Sequence, residues 1–296
     1  MPDTPASRLA DGIRYLRAGS LDRAWACFDG AAGIEDSRIR SEALRRMADV
    51  KRRRAEWEDA LRLSAQSHQV AVEHGLKEEG AAALNIEGTI HLQRGEFEQA
   101  VETYRQALAI GPSAHQRGLI CQNLGTAFAQ EGKHSEAAEW YAQSSSAFRI
   151  AGRRREEVLA LINQGNVLLD HGELADAEAR FREARALIED QVGQDAELRG
   201  LIDMNLAEAL GRQGIELDQA TDLVLSATGH FAVSANRPFL VACHRVVALV
   251  SEARGDVDTA IGALERGLAL AKEIGSGPEL SHFHREIARL RSLEPR

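Results

Sequence analysis

The chain predicts an all-α solenoid: about seven helix hairpins stacked side by side, closed by a C-terminal capping helix. Three observations point there. One short pattern recurs along nearly the whole sequence at a spacing near 40 residues, the length of one helix–turn–helix unit. The 44% hydrophobic content is rich in Ala and carries only 5% aromatics, which suits helices packed through small side chains. No stretch of the 296 residues approaches the ~18 consecutive apolar residues of a membrane span.

The pattern is clearest in GEFEQAVETYRQALAI, from Gly95 to Ile110. Gly95 opens it, Ala100 follows, then Tyr104, then Ala107. The same frame starts at Gly19, Gly132, Gly172 and Gly255. It starts at Ala55 with Ala in place of Gly, and at Gly214 with one residue inserted before Ala220. The central Ala residues are Ala24, Ala60, Ala100, Ala137, Ala177, Ala220 and Ala260, spaced 36, 40, 37, 40, 43 and 40 apart. A second amphipathic stretch precedes each segment and carries a small residue seven before the turn: Gly12, Ala48, Gly88, Gly125, Gly165, Ala207 and Ala248. Gly at the turn supplies a left-handed helix cap without strain. The small residues let the two helices of a hairpin approach closely. The bulky residue (Phe28, Tyr104, Tyr141, Phe181 or Leu264) is expected to fill the gap to the next hairpin. One hairpin cannot bury its apolar face alone, so neighbours must stack.

This framework resembles the tetratricopeptide repeat family over roughly residues 5 to 275, in its long-period form, as in kinesin light chains and bacterial regulators. The resemblance implies a right-handed superhelix whose first helices line a concave groove. The repeats are read as 5–38, 39–76, 78–112, 115–151, 155–192, 196–234 and 238–275, all within one domain spanning 1–296. Pro112 matches the family's inter-repeat Pro. The second repeat departs most, with Ser64 and Ser67 where an aromatic and an Ala are expected, and is read as the softest joint. Residues 278–293 form the capping helix: Pro278 suits its first turn, and Leu280, Phe283, Ile287 and Leu290 make one apolar stripe. Gly193 and the Gly275–Gly277 segment read as ordinary loops.

Residues at i, i+3, i+4 and i+7 share a helix face. Counted from the small residue of each first helix, the groove-facing positions include Asn85, Thr89, Gln122, Asn123, Thr126, Asn163, Asn166, Asn205 and Glu208. Asn123, Asn163 and Asn205 each stand two before the small residue in three successive repeats. Asn offers a donor and an acceptor together and can pair with a peptide unit of an extended chain whatever its side chains. Similar Asn ladders hold peptides in the resembling family. Asn is equally suited to bridging neighbouring hairpins, and both readings stand on the sequence.

The second candidate is basic. From Arg38 to Arg54 eight Lys/Arg face only Glu42 and Asp49, a segment of +6 in a chain of −9. Arg45, Arg46, Arg52 and Arg53 fall on the groove-facing positions, where guanidinium forks suit an acidic side chain or a C-terminal carboxylate. The alternative is a solvated face answered by Glu56, Glu58 and Asp59. The acidic balance and the lack of interleaved aromatics argue against nucleic acid.

No HExxH, P-loop, GxSxG or strand-borne GxGxxG is present, so the reading is non-catalytic, with no cofactor and no metal. His282 and His284, two apart, point to different helix faces. Cys27, Cys121 and Cys243 form no CxxC pair, and the N-terminus lacks an apolar leader, which suits the cytoplasm. Cys121 and Cys243 read as small core residues, and Trp25, Trp57 and Trp140 as packing residues. Ser144 to Ser146 read as a surface helix segment. The expected function is a protein-interaction scaffold or adaptor, or a stand-alone sensor, that takes an extended or short helical segment in the groove. The rival is a small-ligand receptor or enzyme built on Asp170, Glu208 and Glu252 with neighbouring Arg. A bare first helix (Leu9, Ile13, Leu16) leaves self-association open.

Overall fold

The computed structural model describes residues 4–189 and 195–292. The last residues read into the fifth repeat (190–192), the Gly193 loop and residue 293 of the capping helix lie outside them. Among the described residues all regular structure is helical. The chain divides into two compact units, Met1–Arg153 and Arg154–Arg296.

The first unit holds four hairpins. They are α1 (Pro5–Arg17) with α2 (Leu21–Ala32), α3 (Ser37–Arg53) with α4 (Trp57–Glu73), α5 (Lys77–Gln93) with α6 (Phe97–Ala109), and α7 (Ala114–Gln130) with α8 (His134–Ile150). The second unit pairs α9 (Arg154–His171) with α10 (Leu174–Leu187), α11 (Ala196–Gln213) with α12 (Leu217–Val233), and α13 (Arg237–Ala253) with α14 (Val257–Ile274). It ends on α15 (Gly277–Arg291), which packs on α14. Within each unit every first helix lies against the next first helix, while the second helix wedges between its partner and the following hairpin.

Local chemistry sets the helix ends. Thr4, Asp36, Ser113, Asp195 and Asp256 cap helix N-termini with their side chains, satisfying donors that the helix cannot. The turns inside the hairpins need one residue in the left-handed region. Glycine fills it at φ +73° (Gly19), +77° (Gly95) and +87° (Gly172), but Ala55 takes it at φ +57°. The residue inserted after Gly214 gives that turn a second left-handed residue, Glu216 at φ +47°.

Packing explains the repeat frame. All seven central Ala residues are fully buried. The aromatic ring lies on the small residue of its own hairpin, and Phe28 also shares a core cluster with Ala43 and Met47 of the next. A Cβ on Gly12 would stand 2.4 Å from the Phe28 ring, on Gly88 2.6 Å from Tyr104, and on Gly165 2.4 Å from Phe181. Only a residue without a side chain lets helix and ring approach this closely. A second set of contacts escapes the sequence pattern: Gly118 takes Phe148, Gly200 takes Phe231, and Gly267 takes Phe283 of α15. Gly118 and Gly200 stand seven residues before Gly125 and Ala207, a helical repeat of the small-residue signal.

Four serines are buried where the pattern gave a surface segment or a different side chain. Ser144 and Ser145 are buried, while Ser146 is exposed as expected; Ser144 Oγ donates to the Gly118 carbonyl of α7 at 2.8 Å, and Ser145 Oγ to the Ala142 carbonyl of its own helix at 3.0 Å. Ser64 donates to the Ala83 carbonyl at 2.8 Å, and Ser67 to the Ser41 carbonyl at 2.7 Å, so the hydroxyls that replace an aromatic and an Ala are all satisfied.

Candidate functional site

In the first unit the polar face is built on α3, α5 and α7. Asn123 Nδ2 donates to Asn85 Oδ1 at 2.9 Å, bridging α7 to α5. Thr89 lies one turn along α5 from Asn85; its hydroxyl donates to the Asn85 carbonyl at 2.8 Å and accepts from the Tyr104 hydroxyl at 3.1 Å. Thr126 repeats the device on α7, with the Gln122 carbonyl and the Tyr141 hydroxyl each at 3.1 Å. Burial pushes both tyrosine hydroxyls above their ordinary range, so they stay protonated and need such a partner. Gln122 is half-buried beside Asn123.

The second unit repeats the amide bridge. Asn205 Nδ2 donates to Asn166 Oδ1 at 2.9 Å, tying α11 to α9. Asn163 is half-buried on the same helix as Asn166 and has no hydrogen-bond partner among the described residues. Each bridge uses one donor hydrogen of one amide and one lone pair of the other. An Asn amide has two of each, so every bridged residue keeps bonding capacity.

The basic run of α3 is answered largely from within. Arg45 and Arg46 share Glu42, at 3.6 and 3.3 Å. Burial, with Arg46 alongside, lowers the Arg45 guanidinium pKa to about 10. Arg52 and Arg53 share the buried Asp49; Arg52 also donates to Gln93 Oε1 at 2.9 Å, and Arg53 to the Leu16 carbonyl at 3.3 Å. These arginines therefore fasten α3 to α5 and to the C-terminal end of α1. Lys51 reaches Glu56 and Asp59 and lies 5.1 Å from the Trp25 ring centroid. Two arginines on each shared carboxylate leave one positive charge in each group.

A feature that the sequence did not assemble lies in the second unit. Glu208 and Arg212 of α11, Arg245 and Glu252 of α13, and Glu286 and Arg289 of α15 line a cavity of about 260 Å³. Arg289 closes on Glu252 with two bonds, at 2.8 and 2.6 Å, and on Glu286 at 2.7 Å. Asp170 is exposed and does not line it. Glu208 and Glu252 stand 44 positions apart in the chain, so only stacking of α11 on α13 brings them together.

Among the described residues no three His, Cys, Asp or Glu side chains converge as for a metal ion. No described helix is long and apolar enough to cross a membrane. Cys121 and Cys243 are buried, and burial pushes both thiols up to about 11, as suits inert core residues.

Helix hairpins whose aromatic rings lie on small residues, with amides bridging their first helices (half-buried at Asn85, Asn123 and Asn166, buried at Asn205), define a helical-repeat fold. The sequence profile of the tetratricopeptide repeat matches residues 40–113, a stretch that takes in most of the second and third hairpins. Photosystem I assembly protein Ycf3 of Acaryochloris marina (strain MBIC 11017) is 32% identical over 90 residues, 30% of this chain and 51% of that protein. The chain thus spans about half the length of the curated relative it matches. Among solved structures, a STAND signal-transduction ATPase with a tetratricopeptide repeat sensor from Pyrococcus horikoshii aligns with TM-score 0.72 at 14% identity, covering 95% of this chain and 44% of that one. A Rap protein complexed with competence and sporulation factor aligns with TM-score 0.60 at 13% identity, covering 96% and 74%. At these identities the structural likeness is one of fold.

Proposed function

We propose that this protein is an interaction scaffold that captures an extended or short helical segment of another polypeptide along its first helices, in the concave groove implied by the family, each hairpin acting as one repeat with the bounds read above. The observation that carries the reading is the amide bridge present in both units, Asn85–Asn123 and Asn166–Asn205. A bridged amide is held in one orientation, so its remaining donors and acceptors are pre-organised for a passing peptide unit. Asn163, Gln122 and Glu208 extend that polar face. The one positive charge left in each arginine group, Arg45 with Arg46 and Arg52 with Arg53, suits an acidic residue of the partner. The tetratricopeptide repeat match and the Rap protein solved with its factor support a polypeptide partner. A stand-alone regulatory role in the cytoplasm fits the same reading.

The test is selection of binders from a random 12-residue peptide library, followed by titration of the selected peptides against the Asn123→Ala, Asn205→Ala double variant. Selected peptides should be enriched in Asp and Glu and bind at micromolar strength, about 8 kcal/mol. The double variant should stay folded and lose about 2 kcal/mol of binding. Unaltered binding by the folded variant removes the amides from the mechanism.

A further inference from the structure

The cavity of the second unit holds a charge imbalance that the amide bridges do not account for, although Glu208 is shared with the proposed peptide face. Arg289 is fully engaged by Glu252 and Glu286, and Arg245 stands 3.7 Å from Glu279. Glu208 and Arg212 differ. They sit four apart on α11, about 5–6 Å between Cβ atoms, the spacing at which acid and base on a helix normally pair. Yet neither has an ion-pair or hydrogen-bond partner among the described residues, and both line the cavity. The remaining wall is His282, whose Nδ1 lies 3.4 Å from Arg285, and an aliphatic surface that includes Leu249, Leu264 and Leu290.

An unpaired carboxylate, an unpaired guanidinium one turn away and an aliphatic wall describe the complement of one small molecule class. It carries an ammonium, a carboxylate close by and an aliphatic body. The volume, about 260 Å³, lies under the roughly 300–1,000 Å³ of pockets for drug-sized ligands, which limits the occupant to about ten heavy atoms. We propose that this cavity binds a free aliphatic amino acid of about leucine size, its ammonium on Glu208, its carboxylate on Arg212, and its side chain against Leu249, Leu264 and Leu290. Arg245, loosely held by Glu279, stands ready as a second donor to the carboxylate. The ligand would also join α11, α13 and α15, since its three groups contact residues on all three helices or on α14 beside them.

The experiment is calorimetric titration of the full chain with L-leucine, L-leucinamide, N-acetyl-L-leucine and glycine. Leucine should bind and raise the thermal midpoint. Leucinamide lacks the carboxylate, N-acetyl-leucine the ammonium and glycine the apolar body, so each should bind at least about tenfold more weakly. Glu208→Gln and Arg212→Gln change partly or fully exposed side chains and should each weaken leucine binding at least about tenfold at an unchanged thermal midpoint of the free protein. Absence of leucine binding at millimolar concentration overturns the proposal. So does equal binding of N-acetyl-leucine, which would indicate a site for a carboxylate alone, or leucine affinity that neither substitution alters. The ligand series and Arg212→Gln separate these outcomes from the peptide titrations, because Arg212 has no part in the proposed peptide face.

Discussion

Ala55 holds the turn between α3 and α4 at φ +57°, a conformation in which Cβ crowds the backbone. Ala55→Gly should therefore raise stability by about 1 kcal/mol, read as a shift in the denaturant midpoint. The same change at Gly-free positions with negative φ should not stabilise. His244 of α13 presents a second residue-scale effect. Burial, reinforced by Arg266, holds its imidazole below the ordinary 6.5, and its Nδ1 is buried without a partner. The native state thus disfavours the proton that the unfolded chain accepts, so stability declines as pH falls through about 6.5. His244→Gln removes the titrating group. Thermal melts at pH 7.5 and 5.5 should show a smaller acid-side drop in the variant than in the parent; an equal drop would assign the loss elsewhere.

At the scale of the element, the hairpin is a ring laid on a glycine. Gly165→Val would drive two methyl groups into Phe181, whose ring already stands 2.4 Å from where a Cβ would be. The expected loss is about 3 kcal/mol in chemical denaturation. Pairing it with Phe181→Leu should cost less than the sum of the two single changes, since the smaller side chain makes room. Gly33→Ala, at a site with nothing within 4 Å of the added atom, should be nearly neutral and serves as the control. The rule that a small residue pairs with a bulky one was legible in the sequence. Which bulky residue each one meets was not, because a periodicity gives the face of a helix but not its neighbour. Hence Phe148 and Phe231 went unnoticed as partners of Gly118 and Gly200.

At the scale of the molecule, a net charge of −9 coexists with a basic helix whose cations are mostly spent on its own carboxylates. Binding of acidic peptides should weaken with added salt, but only by the small amount that two residual charges allow, since exposed pairs are screened within about 10 Å at 0.1 M. A steep salt dependence in the peptide titrations would mean that the internal ion pairs open on binding. The candidate residues also sort by unit: Asn85 and Asn123 belong to the first, while Asn163, Asn166 and Asn205 belong to the second. The three asparagines at fixed spacing part ways: Asn123 and Asn205 each bridge to a further asparagine, Asn85 and Asn166, while Asn163 does not.

The sequence by itself determined the helical hairpins, their number, their turns and the burial of every central Ala, because each rests on short-range spacing: the 3.6-residue turn, the left-handed cap, and the steric allowance for small side chains. Its periodicity also predicted that Glu208 and Asn205 share a face of α11. Tertiary structure decided what those side chains meet. Asn123 finds Asn85 and Arg52 finds Gln93 across stacked helices about 40 residues apart in the chain, and the cavity lined by Glu208 and Arg212 needs α13 and α15 to close it. Periodicity fixes direction around one helix axis; the partner of a polar group is fixed only when a second axis is laid beside it.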